Sequence, residues 1–130
     1  MAADKGLCSV EITVTDRVDG FAQVNEAYSE QPDNVWIDGE QCHVASVLEQ
    51  YQQPVTWGML TQQPGSSVSV TIGLKMANRP MPVVLKFSNT PEGNAACTVT
   101  PQPLVAYSVT QVDTGSPQHA MFDVTLTNGQ

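Results

Sequence analysis

Residues 8–15 alternate between apolar and polar without a break. Cys8, Val10, Ile12 and Val14 fall on one side of an extended chain, and Ser9, Glu11, Thr13 and Thr15 on the other. Residues 67–76 repeat the pattern over a longer run, with Val68, Val70, Ile72, Leu74 and Met76 against Ser69, Thr71, Gly73 and Lys75. A period of two, filled largely by β-branched residues, is the signature of a strand with one buried face. Two such runs commit the chain to at least one sheet whose apolar face must be covered.

Turn-forming residues cut the rest into pieces of similar length. Pro64-Gly65-Ser66 precedes the second alternating run, and Asn78-Arg79-Pro80-Met81-Pro82 follows it. Proline has no amide hydrogen for a central ladder, so this pair suits a strand start or an edge. Further strands are expected over 83–88, 96–100, 104–112 and 120–127, with breakers over 89–94, at Pro101-Gln102-Pro103 and at Thr114-Gly115-Ser116-Pro117. The last strand turns Phe122, Val124 and Leu126 inward, and Leu85 and Phe87 do the same in 83–88. Breakers at roughly 8–12-residue intervals are the rhythm of an all-β, antiparallel sandwich. A length of 130 residues suits one such domain spanning 1–130.

Residues 17–60 carry a different period. Phe21, Val24, Ala27 and Tyr28 recur at helical spacing up to Pro32, and Val44, Val47, Leu48 and Tyr51 do so again before Pro54. With Asp38 as a cap, the second stretch predicts one short helix around residues 40–53. Asp38-Gly39 is also a favoured hairpin turn, which would pair 34–37 with 40–44. Both readings use the same residues, and the lack of alternation over 45–50 favours the helix.

Only 14% of the chain is charged, and lysine occurs only at Lys5, Lys75 and Lys86. Residues 1–49 hold ten of the thirteen acids and only Lys5 and Arg17 among the bases, a net charge of −8; residues 50–130 are neutral. An acidic half without a basic patch releases no counterions from a phosphate backbone, so nucleic acid is not an expected partner. No window approaches the ~18 apolar residues of a spanning helix, and no leader pattern opens the chain. The lysine-poor, Thr/Gln/Val-rich composition points to an extracellular, periplasmic or virion setting.

Cys8, Cys42 and Cys97 are an odd number of thiols with no metal-site spacing; one disulfide or none is open, and so is its pairing. Two histidines, His43 and His119, with Cys97 and Met121 are the ligand types of a cupredoxin copper site. Cys8-Ser9-Val10-Glu11-Ile12 resembles the opening of azurin-like proteins, but that family gathers its Cys, His and Met on one short loop. Here a strand and a turn separate Cys97 from His119, so no metal or other cofactor is expected.

Asp33, Asp38 and Glu40 could form a carboxylate patch, read best as a solvated loop because no calcium-loop pattern accompanies them. Cys42 and His43 are neighbours whose side chains diverge, and no nucleophile or phosphate-loop motif is present, so no catalytic residue is assigned. Trp36 and Trp57 are the candidate partner contacts, Trp57 the stronger because Val55-Thr56-Trp57-Gly58-Met59 lies between breakers. The composition resembles that of pilus-type, surface-layer and virion subunits, a resemblance that implies one disulfide, which Cys8 and Cys42 could supply. The expected function is a non-enzymatic structural or assembly subunit with protein or self partners. The alternative is a monomeric binding module for protein or glycan, or an inhibitor.

Overall fold

The computed structural model describes residues 6–79, 81–100 and 104–129. Ten strands make two five-stranded sheets packed face to face, and no helix occurs among the described residues. The first sheet has the order β3-β5-β1-β10-β9, from Asn34–Trp36, Val55–Thr61, Ser9–Arg17, His119–Asn128 and Val105–Val112. The second has the order β4-β2-β6-β7-β8, from Val47–Glu49, Phe21–Tyr28, Val68–Met76, Val83–Asn89 and Ala96–Thr100. Every pairing is antiparallel except β1 with β10, which run parallel with Ile12 opposite Phe122 and Val14 opposite Val124.

The alternation does what it predicts. Val10, Ile12, Val14, Val68, Ile72, Leu74, Leu85, Phe87, Val124 and Leu126 are all buried in one shared core. Burying each such side chain contributes roughly 1.5–3 kcal/mol. Two side-chain amides, Asn34 half-buried and Asn89 buried, tie the two sheets together. Asn34 Nδ2 donates to the Ser67 carbonyl while its Oδ1 accepts from Ser69 N–H, joining β3 to the entrance of β6. Asn89 Nδ2 donates to the carbonyls of Ser9 and Pro117, joining β7 to β1.

The helix expected around residues 40–53 does not form. Ala45 and Tyr51 both have positive φ, 78° and 63°, which a right-handed helix excludes. Val47–Glu49 instead pairs with β2, burying Leu48 and leaving Val44, Val47 and Tyr51 exposed. The helical spacing over 21–28 has another origin. A β-bulge at Asn25, between Val24 and Glu26, inserts one residue, so the inward set runs Ala22, Val24, Ala27. The Asp38-Gly39 turn does exist, with Glu40 N–H donating to the Ile37 carbonyl at 2.8 Å and Gly39 at φ 82°. Its arms do not form the alternative hairpin of 34–37 with 40–44: Ile37 N–H donates to the Gly58 carbonyl, and Gly58 N–H donates to that of Glu40.

In the sandwich, β5 faces β6 while β1 faces β6 and β7. One flank therefore carries the edges β8 and β9, the other β3 and β4.

Candidate functional site

The four edge strands are unlike one another. β3 and β4 are three residues each, lie in the acidic half of the chain, and β4 ends on Glu49. Short, charged edges resist pairing with other chains. β9 is eight residues, Val-Ala-Tyr-Ser-Val-Thr-Gln-Val, with no charge, proline or glycine. Its register with β10 runs without a bulge from Val105–Asn128 to Val112–Met121. Val105 and Val109 lean on the core, whereas Tyr107 remains 44% exposed and Gln111 is open to solvent. Beside it β8, Ala-Cys-Thr-Val-Thr, is also uncharged. Among the described residues β9 is the one long, uncharged edge strand, with the shorter uncharged β8 on the same flank.

A second constellation sits on the outer face of the first sheet. Glu11 on β1 lies opposite Gly58 on β5, and the 37–40 turn brings Glu40 over the same glycine. A Cβ at Gly58 would stand 2.7 Å from both Glu11 Cγ and Glu40 Oε1, so only glycine leaves the two carboxyls room. Burial, then the hydrogen bond and the charge of Glu11, push the Glu40 carboxyl up to about 7. Glu40 therefore keeps its proton closer to neutrality than an ordinary glutamate does. Of the expected patch, Asp33 and Asp38 do not join it. No cluster of three or more His, Cys, Asp or Glu that could hold a metal exists among the described residues.

Asp16 ends the inward face of β1 and is 1% exposed. Its Oδ1 accepts from Val18 N–H at 2.9 Å and its Oδ2 has no hydrogen-bond partner, so burial raises its pKa. The Arg79 guanidinium lowers it in part and closes this end of the sandwich, donating to the carbonyls of Asp19 and Ala77 and to Asn128 Oδ1. These contacts read as architecture.

Trp57 is 6% exposed and belongs to the core, whereas Trp36 is partly buried and packs against that core. The inward alternation of Val55–Thr61 was masked by Gly58 and by apolar residues on both faces. His43 is exposed ahead of β4, whereas His119 begins β10 with Nδ1 2.8 Å from Ser9 Oγ, so the histidines do not converge. All three cysteines are free thiols, Cys8 and Cys42 buried and Cys97 partly so. The Cys8 thiol donates to the carbonyls of Ser66 and Asn89, and no bridge to Cys42 forms. Burial pushes Cys42 up to about 12 and Cys97 up to about 11, which leaves both as thiols rather than nucleophiles.

The outer face of the second sheet carries a cross-strand row of Tyr28, Thr71, Lys86 and Thr98, with Ser69 and Ser88 one step along. A shallow depression of about 260 Å³ lies over these hydroxyls. No helix of the described residues is long and apolar enough to cross a membrane. No family model and no curated protein matches the chain.

Proposed function

We propose that the chain is a non-enzymatic structural subunit that associates with its own copies through the β8–β9 flank, in an extracellular appendage, at a cell surface, in the periplasm or in a virion. The observation that carries this reading is β9. A long edge strand without charge, proline or bulge is a template for pairing, and chains that must stay monomeric blunt such strands. The opposite flank is blunted by short strands and acids, so the contrast lies within one molecule. Charge supports it too, because copies with a net charge of −8 meet with least repulsion on the neutral half. The lysine-poor composition supports the compartment.

The second reading is a monomeric recognition domain. The Tyr28–Thr71–Lys86–Thr98 row favours it, since an exposed aromatic beside hydroxyls and one cation suits a sugar or a polar peptide. Native mass spectrometry with sedimentation over a concentration series separates the two. The structural reading expects multiples of 14.0 kDa that grow with concentration. A chain that stays monomeric throughout overturns it, and binding on a glycan array that is lost in Tyr28→Ala would establish the alternative.

A further inference from the structure

The hydrogen-bonding pattern of β9 goes further than exposure, because it states which backbone groups point outward. Gly129 N–H donates to the Leu104 carbonyl at 3.0 Å, and the register places these two opposite each other, one step beyond Asn128 and Val105. Bonded and non-bonded pairs alternate along an antiparallel ladder. Ala106, Ser108 and Thr110 therefore direct N–H and C=O to β10. Val105, Tyr107, Val109 and Gln111 direct theirs to the open edge. The same four residues face the core side of the sheet, opposite Asn128, Leu126, Val124 and Phe122.

Resting on the self-association proposed above, we infer that two copies pair β9 with β9, antiparallel, about a two-fold axis at Ser108. A two-fold axis perpendicular to the sheet keeps both cores on one side, so residues that meet must share a face. Centring the axis on Ser108 sets Tyr107 against the partner's Val109 and Val105 against the partner's Gln111. All four edge-directed residues are then hydrogen-bonded within the strand. Centring it on Val109 pushes Val105 past the strand end, opposite the partner's Asp113. The Ser108 register also lays the exposed Tyr107 ring beside the partner's Val109, extending the core across the seam.

The occupant is a second copy because the strand is complementary to itself and carries no charge to select another surface. The result is a continuous ten-stranded sheet formed from two five-stranded ones. On its outer face Ser108 meets the partner's Ser108, and Ala106 meets the partner's Thr110.

Two cysteine variants of the full chain test this under mild oxidation. At a non-bonded pair the two Cα atoms at position 108 stand ~4.5 Å apart, within disulfide reach. Those at position 110 stand roughly 14 Å apart in this register. Ser108→Cys is expected to give a covalent dimer in high yield, and Thr110→Cys, with the same three native thiols, to give none. Tyr107→Pro removes an edge-directed N–H and is expected to melt cooperatively yet run as a monomer. A chain monomeric at every concentration overturns both the register and the self-association. A dimer that Ser108→Cys fails to trap, or that Thr110→Cys traps equally, overturns the register alone. A Tyr107→Pro chain that folds and still dimerises also overturns β9 as the seam.

Discussion

At the scale of single residues, the Glu11–Glu40 pair is the most informative feature. Glu40 is held above its ordinary value, to about 7, by burial and by Glu11. The folded state therefore binds this proton more tightly than the unfolded chain does. That contribution to stability is fully present below the unfolded pKa of about 4.5 and is lost as pH rises through about 7. Glu40→Gln should remove the dependence, raising stability at pH 8 by about 1 kcal/mol and changing little near pH 4. Thermal melts at the two pH values check it, and an equal shift at both would show that the proton is not the cause. Glu40 was visible in the sequence only as one acid in a loop. Its partner comes from β1, and Gly58, which makes room for both, comes from β5. Trp57 carries the same lesson with the opposite result, because its segment stands out in the sequence only as lying between breakers, while its neighbours in space are core.

At the scale of elements, β2 and β9 show what pattern reading can and cannot reach. In β2 a single bulge residue shifts the inward set from Val24 to Ala27, and three-residue spacing looks helical. Gly73 accepts that bulge: a Cβ there would collide with Asn25 Oδ1 and stand 2.8 Å from Glu26 Cγ. In β9 the alternation of backbone bonding separates two prolines that look equivalent on paper. Tyr107→Pro loses an amide that serves no bond to β10. Ser108→Pro loses one that does, and should cost about 3 kcal/mol or more. Chemical denaturation of both variants measures the difference; equal losses would mean that the alternation is assigned the wrong way round. The short helix failed for a related reason, since extended pairing of Val47–Glu49 with β2 buries Leu48 in the shared core.

At the scale of the whole molecule, charge is uneven along the chain, with a net −8 in residues 1–49 and none in residues 50–130. The strands β8 and β9 themselves carry no charge, whereas ten of the thirteen acids fall in residues 1–49, of which Glu30 shares a surface depression with Ala96 and Thr98 of β8. Association through it should tighten with salt, because screening weakens the repulsion between copies with a net charge of −8 while leaving a neutral seam intact. Sedimentation at ~0.01 M and ~0.5 M salt checks this, across a Debye length falling from about 30 Å to a few ångström; weakening at high salt would point to an ion-paired interface instead. The sequence by itself determined the all-β class, six of the ten strands, and the inward faces of β1, β6, β7 and β10. Side-chain direction along an extended chain is a local property that repeats every two residues, whatever the strand pairs with. Tertiary structure alone decided the parallel β1–β10 pairing, the identity of the edges, the burial of Trp57 and the meeting of Glu11 with Glu40. Each of these depends on which distant segment lies alongside, a choice made by the total apolar surface two sheets can cover together rather than by any local pattern.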